Sequence, residues 1–117
     1  MCNRKLAKIA FITVAFVIST MFVPIASRGQ TWSEWGAIQY IEAGWKEDTM
    51  AVFHSAGMVN PNGCKVTNAG YATNPNDPGH SLFHTLVLSA LLNKKQTRFL
   101  ISECVYSKPR IIAVGVR

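Results

Sequence analysis

The 117-residue sequence is poor in charged residues, and acidic residues are the scarcer kind, with 6 Asp and Glu against 12 Lys and Arg. The carboxylates are too scattered along the chain to form a recognisable acid–base pair. A glycine-rich phosphate loop and a nucleophile elbow are also absent. These absences exclude the enzyme classes that such motifs identify. We expect a protein with no catalytic residues and no cofactor.

A concentrated basic patch is missing as well. The formal net charge is +6, but Arg4, Lys5 and Lys8 lie in the N-terminal segment that we expect to be removed. Without them, nine basic residues exceed six acidic ones by three, and by two if Arg28 is also lost. Scattered charge of this size gives little support to nucleic-acid binding.

The N-terminal segment has the layout of a secretory signal peptide. Its three basic residues precede an apolar run from Ile9 to Val23, which ends at Pro24 and small residues. We expect residues 1–29 to be the signal peptide, cleaved after Ser27 or Gly29, and residues 30–117 to form one domain. The alternative is an uncleaved anchor helix, which usually needs a longer apolar run. The predicted localisation is secreted or periplasmic, with no membrane span after removal of the signal.

Only two of the three cysteines remain after the signal segment, Cys64 and Cys104. An even pair in an exported chain predicts a disulfide. Catalytic and zinc-binding roles would need further groups at a suitable spacing. His80 and His84 are four residues apart on the predicted helix, but no third ligand is evident, and we predict no metal site.

The segment from Asn76 to Lys95 predicts an amphipathic helix. Asp77 is a suitable N-cap and Pro78 a suitable first helical residue. At about 100° per residue, one apolar stripe forms and should face the core. The stripe consists of Phe83, Leu86, Val87, Ala90 and Leu91.

Alternating apolar residues and turn signals predict five strands around this helix. They cover residues 30–45, 49–55, 64–72, 96–102 and 111–116. Five strands with a helix between the third and the fourth are the order of the OB-fold, a small Greek-key barrel. The expected fold is therefore mainly β with an OB-like barrel. An open α+β sheet packed on one helix is the alternative.

Aromatic and amide side chains in or beside the predicted loops are the candidate ligand-binding groups. Flat aromatic rings and neutral amides suit sugar rings or peptide surfaces. The candidates are Trp32, Tyr71, Asn74, Asn76 and Tyr106.

Leu88 and Leu92 lie away from the apolar stripe, and a monomer gains nothing by exposing them to water. We consider them candidates for an oligomer interface. A loop that folds over them is the alternative.

Three stretches carry a resemblance to a known family: NPNGC at residues 60–64, LFHTLVLSALLNKK at 82–95 and LISECVYSKPRIIAVGV at 100–116. Together with the signal peptide, they resemble the small secreted OB-fold proteins related to the B subunit of subtilase cytotoxin. The resemblance implies a non-enzymatic binder of glycans that assembles as a pentamer. It gives no residue-by-residue match for the sugar-contacting positions. The expected partner is a glycan or a protein surface, and the alternative is a periplasmic interaction or inhibitor protein with no sugar affinity.

Overall fold

The computed structural model describes residues 29–117 as a mainly β structure with six strands in one sheet and one helix. Residues 1–28 of the predicted signal peptide, including the cleavage site after Ser27, lie outside the described residues. The elements are β1 (Thr31–Trp32), β2 (Gly36–Ala43), β3 (Met50–His54), β4 (Tyr71–Ala72), α1 (His80–Leu92), β5 (Gln96–Val105) and β6 (Lys108–Val116).

Two antiparallel hairpins, β2–β3 and β5–β6, provide most of the sheet. The short strand β4 pairs antiparallel with β3 and parallel with β6. Strand β5 pairs with β6 at one edge and with β1 and β2, one after the other, at its other edge. The helix lies in sequence between β4 and β5, as expected from the strand order.

The first predicted strand, residues 30–45, contains β2 as its main strand, and its aromatic lead-in contains the separate short strand β1. Between β1 and β2, the side chain of Ser33 accepts a hydrogen bond from the Phe99 N–H at 2.9 Å, while the Ser33 N–H donates to the Phe99 carbonyl at 2.8 Å. Both backbone groups of Phe99 are therefore bonded to Ser33, and the regular strand pairing along β5 is interrupted at this residue. Trp45 lies beyond the end of β2.

The third predicted strand, residues 64–72, is also wrong except at its end, because only Tyr71 and Ala72 pair with neighbours. The Asn60 side chain accepts a hydrogen bond from the Cys64 N–H and donates to the Cys64 carbonyl. This reciprocal pair closes a local turn in which the backbone groups of Cys64 bind a side chain instead of a strand.

The last two strands are longer than predicted, because a two-residue turn joins them. Val105 pairs with Lys108, and the intervening Tyr106 and Ser107 have φ angles of 50° and 64°. Positive φ at both central residues is the geometry of a type I′ hairpin turn, which matches the twist of the flanking strands. Neither Tyr nor Ser is a usual residue for this turn, so no turn was predicted at this position.

The predicted helix start is wrong by two residues. Gly79 is the N-cap, and no side chain caps the helix. Asp77 instead belongs to the preceding turn, where its N–H donates to the Asn74 carbonyl at 3.0 Å and its carboxylate lies 3.7 Å from the Arg110 Nε. The ion pair with Arg110 turns the Asp77 carboxylate away from the helix amides.

The predicted apolar stripe does face the core. Val87 and Ala90 are buried, and Phe83 and Leu91 pack against the core cluster from its edge. The strands supply the rest of the cluster, which is Ile38, Met50, Val52, Tyr71, Phe99, Ile101 and Ile111. The helix is 13 residues long, and no helix among residues 29–117 has the length and apolar character to cross a membrane.

The predicted disulfide is confirmed. Cys64 and Cys104 are bonded, with a Cα–Cα distance of 5.7 Å and a sequence separation of 40. The bond ties the loop before β4 to the end of β5. The Asn62 side chain accepts a hydrogen bond from the Glu103 N–H at 2.7 Å, so the same two segments are also joined beside the bond.

Candidate binding pocket

The five predicted ligand-binding residues lie at separate places. Trp32 is on β1 and is 41% exposed, whereas Tyr71 is on β4 and only 1% exposed. Asn74 and Asn76 form a turn before the helix, in which the Asn76 N–H donates to the Asn74 Oδ1 at 3.0 Å. Tyr106 lies in the β5–β6 turn. The structure does not bring the five residues together in one site.

Tyr71 lines a pocket, as part of its inner wall. The pocket has a volume of about 190 Å³ and opens between β3 and the loop of residues 55–70. Tyr71 was predicted to be a loop aromatic, but its ring belongs to the core and lies 5.7 Å from the Phe99 ring. Its hydroxyl accepts a hydrogen bond from the Val59 N–H at 2.9 Å, which fixes the loop over the pocket.

A β-bulge places Gln39 at the pocket. Ile38 pairs with His54 and Tyr40 pairs with Phe53, which leaves Gln39 as the extra residue of β2. A bulge shifts the inward–outward alternation by one residue and re-aims a side chain. Ile38 is accordingly buried, while Tyr40 is 47% exposed and stacks on Phe53 at a centroid distance of 4.0 Å.

Phe53 on β3 gives the pocket lining an aromatic side chain, and Thr67 and Asn68 line the pocket from the loop. Within residues 29–117, the side chains of Gln39, Thr67 and Asn68 have no hydrogen-bond partner. An amide offers two donors and an acceptor, and a hydroxyl offers one donor and an acceptor. The pocket therefore combines an apolar flat surface with neutral hydrogen-bonding groups that the fold leaves available.

His54 lies between the pocket and the core. Its Nε2 is 3.0 Å from the Thr97 carbonyl, to which it donates a hydrogen bond, and its ring meets the Phe99 ring edge-on at 5.0 Å. Burial lowers the pKa of His54, although the carbonyls of Gly36 and Thr97 oppose this effect. The ring is therefore neutral at neutral pH, so the pocket carries no titrating charge there.

Tyr106 belongs to a second aromatic cluster, which joins the β2–β3 loop to the β5–β6 turn. Its hydroxyl donates to the Glu47 Oε2 at 2.9 Å, and its ring meets the Trp45 ring edge-on at 5.4 Å. The Lys46 Nζ lies 4.9 Å from the Tyr106 ring centroid, and the Lys108 Nζ lies 4.0 Å from that of Trp45. The ammonium groups of these two lysines therefore occupy part of the aromatic surface of this cluster.

The two helix histidines interact with different partners. His80 Nε2 lies 3.0 Å from the Asp48 carboxylate, and His84 Nε2 lies 2.6 Å from the Thr73 hydroxyl. The hydrogen bond to Asp48, and then that to the Asp77 carbonyl, raise the pKa of His80, whereas burial lowers the pKa of His84. Among the described residues, no group of three or more His, Cys, Asp or Glu is placed to hold a metal ion.

Leu88 and Leu92 are exposed, with 45% and 73% of their surface accessible, and Leu82 is 60% exposed. The alternative prediction of a covering loop is therefore wrong for this pair. Leu82 was missed because it directly precedes the predicted stripe and was not assigned to either face.

Sequence reasoning missed Gln39, Thr67 and Asn68. The segment Ile38–Tyr40 alternates regularly in the sequence, so nothing in it signals a bulge. Asn68 and Thr67 stood in a predicted strand instead of a loop. Gly70 could have indicated an irregularity in this predicted strand, because a glycine in a strand pattern often marks a bulge or a close backbone approach.

Comparisons with protein-family profiles, with curated proteins and with solved structures each gave no match to this chain.

Proposed function

We propose that this protein is a secreted or periplasmic, non-enzymatic binding module that takes one neutral sugar unit of a glycan into the pocket between Phe53 and Asn68. The observation that carries the proposal is the set of free neutral groups on Gln39, Thr67 and Asn68 around an aromatic wall. A volume of about 190 Å³ is small for a drug-sized ligand and suits a single ring.

The chemistry of a sugar ring matches this lining. Each ring has an apolar C–H face that packs on an aromatic side chain and a rim of hydroxyls that both donate and accept hydrogen bonds. The Gln39 and Asn68 amides can serve adjacent hydroxyls from two sides of the pocket. A charged ligand would find no ionic partner there, because burial lowers the pKa of His54 and raises the pKa of Tyr71, so both titratable residues of the lining are neutral at neutral pH.

The strand pairing supports an OB-like architecture as part of the proposal. Strand β2 pairs with β3, β3 with β4, β4 with β6, β6 with β5, and β5 with β2 again. In an OB-like barrel, the face of the second and third barrel strands is a ligand-binding surface for oligosaccharides. The pocket lies beside β3 and β4, which take those positions in this order.

Export is the second part of the proposal. The N-terminal sequence has the features of a signal peptide, and the Cys64–Cys104 disulfide is typical of an oxidising compartment. A glycan at a cell surface is accessible to a protein in that location. The resemblance to toxin B subunits is consistent with the same class of ligand and with a homo-oligomer, and we retain both as proposals.

A glycan array tests the proposed function directly. The protein should be expressed from its full sequence and purified with the disulfide intact, and binding should be compared for wild type, Asn68→Ala and Gln39→Ala. Loss of the amide hydrogen bonds should weaken binding about tenfold in each variant. Asn76→Ala is the matched control, because Asn76 lies outside the pocket lining. Absence of any glycan signal, or equal loss in the Asn76→Ala control, would overturn the proposal.

The exposed leucines support a second function, an interaction or inhibitor protein without sugar affinity. Leu82, Leu88 and Leu92 lie on a helix that carries no charged residue between Leu82 and Leu92. Apolar side chains exposed in this way are typical of a protein contact. A pull-down that yields one stoichiometric partner, and loses it with Leu88→Ser and Leu92→Ser, would support this function. Unchanged recovery of the partner with both variants would contradict it.

A further inference from the structure

Two guanidinium groups at the β1 end of the sheet have no carboxylate partner. Arg98 and Arg117 both lie against the tryptophans of the WSEW segment, Trp32 and Trp35. The ion pairs among residues 29–117 involve His80 and Arg110, and in none of them does a carboxylate lie within 4.0 Å of Arg98 or Arg117. Their positive charge is therefore not neutralised by a contacting group.

The aromatic rings hold these guanidiniums in place. The Arg98 Cζ lies 4.3 Å from the Trp32 ring centroid and 5.0 Å from that of Trp35. The Arg117 Cζ lies 4.3 Å from the Trp35 ring centroid, and its Nε donates a hydrogen bond to the Gln96 Oε1 at 2.9 Å. Trp35 is thus shared by both cations.

Gly115 provides the space for this arrangement. It is paired with Arg98 across the β5–β6 ladder, and a Cβ atom at Gly115 would lie 3.1 Å from the Arg98 Cγ and 3.4 Å from the Trp35 ring. A Cβ atom there would require the Arg98 side chain to shift by a few tenths of an ångström, and a larger side chain would shift it further. The absence of a side chain at this position therefore allows the stacking.

The local charge is positive. Lys94 and Lys95 are exposed and directly precede Gln96, whose backbone forms two hydrogen bonds with that of Arg117. Glu34, between the two tryptophans, is exposed and contacts neither guanidinium within ion-pair distance. An anion that approaches this end therefore meets two stacked arginines with two exposed lysines nearby.

We propose that Arg98 and Arg117 form a binding site for a tetrahedral oxyanion, a sulfate or phosphate group, separate from the neutral pocket. A guanidinium stacked on an indole keeps its N–H donors in the plane and directed away from the ring, and these donors match the paired oxygens of such a group. The Arg98 Nε is buried and the Arg117 Nε is bonded to Gln96, so the anion binds the terminal nitrogens of the two guanidiniums.

NMR of the arginine Nε–Hε groups tests the site on the intact protein. Sodium sulfate and sodium phosphate are titrated separately, with sodium chloride at equal ionic strength as the reference. The Nε–Hε signals of Arg98 and Arg117 should shift saturably with either oxyanion and stay in place with chloride. Arg110 is the internal control, because it is already paired with Asp77 and Glu103. Equal shifts in chloride, or equal shifts at Arg110, would overturn the proposal.

Variants separate anion binding from a purely structural role of the stacked pairs. Arg117→Lys keeps the charge but removes the planar donor pair, so sulfate should bind about tenfold more weakly. Arg110→Lys is the matched control and should leave the sulfate affinity unchanged. If Arg117→Lys alters stability but leaves the sulfate titration as in wild type, the arginines are only structural and the proposal fails.

A further comparison identifies the source of the oxyanion. A sulfated disaccharide and its unsulfated form are titrated beside inorganic sulfate. Tighter binding of the sulfated sugar than of free sulfate indicates an ester on a saccharide, and equal binding indicates the free ion. Asn68→Ala should leave the inorganic sulfate titration unchanged, so failure of the neutral-sugar proposal is distinguishable from failure of this one.

Discussion

Gly70 approaches the backbone of β3 so closely that a Cβ atom on it would lie 2.6 Å from the Val52 carbonyl oxygen. Its φ angle is 75°, which disfavours other residues independently of the contact. Because Val52 and Tyr71 pair between β3 and β4, this approach determines how the chain returns to the sheet after the loop of residues 55–70. The same loop forms one side of the neutral pocket.

Gly70→Ala should lower the free energy of unfolding by about 3 kcal/mol, since it adds a steric clash to the cost of a left-handed backbone. Gly44→Ala is the control. Gly44 has a φ of 84° and no atom within 4 Å of the added Cβ, so it reports the backbone cost alone, about 1 kcal/mol. Urea unfolding measures both. Equal losses in the two variants would show that the contact with Val52 has no energetic effect.

Reduction of the Cys64–Cys104 disulfide should destabilise the protein by about 4 kcal/mol, because the bond closes a loop of 40 residues in the unfolded chain. Unfolding of the oxidised protein and of a Cys64→Ala, Cys104→Ala double variant should be compared by circular dichroism. A difference below about 1 kcal/mol would contradict the chain-entropy account.

The three histidines should titrate in a defined order. Burial lowers the pKa of His54 and His84 below the ordinary value of 6.5, so both are neutral in the folded protein where the unfolded chain begins to bind protons. Their contribution to stability is present above pH 6.5 and is lost as the pH falls from 6.5 through their lower folded pKa values. The pKa of His80 is raised, chiefly by the Asp48 hydrogen bond, so its contribution is present at low pH and is lost as the pH rises past its folded pKa.

An NMR titration of the imidazole protons checks this order, with His80 expected to titrate at the highest pH. Asp48→Asn should lower the pKa of His80, because it removes the charged partner, and should leave His54 unaffected. A His80 that titrates with or below His54 in the wild type would contradict the assigned contacts.

Val87 and Leu92 lie on opposite sides of α1 and should respond differently to truncation. Val87 is fully buried, so Val87→Ala should cost about 2 kcal/mol of unfolding free energy. Leu92 is 73% exposed, and Leu92→Ala should change the stability of a monomer by less than about 0.5 kcal/mol. Thermal unfolding measures both, and the solution mass should be determined alongside. A large loss for Leu92→Ala accompanied by a lower mass would show that Leu92 is covered by another copy.

The structural features that depend on short-range sequence patterns were predicted correctly. The apolar stripe of α1, strand β3 and the disulfide follow from periodicity, turn residues and cysteine count. The helix start was not predicted correctly, because Asp77 forms an ion pair with Arg110, which lies 33 positions later in the sequence.

The pocket depends on similarly distant relationships. Gln39 is placed by its register against His54, and Asn68 by a loop held down by Tyr71 and Cys64. A single sequence reports the preferences of each segment but not the pairing between segments. The candidate residues chosen from loop position alone were therefore separated in the fold, and Gln39, placed by a bulge in β2, was missed.

The turn at Tyr106 and Ser107 has a consequence for the order in which the chain folds. The β5–β6 hairpin joins strands that are adjacent in sequence, and such local pairs form within about 10 μs, well before contacts that span the chain. Cys104 lies in this hairpin, two residues before the turn. We therefore expect the hairpin to order first, with Cys104 in place, and the segment around Cys64 to be joined to it later by oxidation.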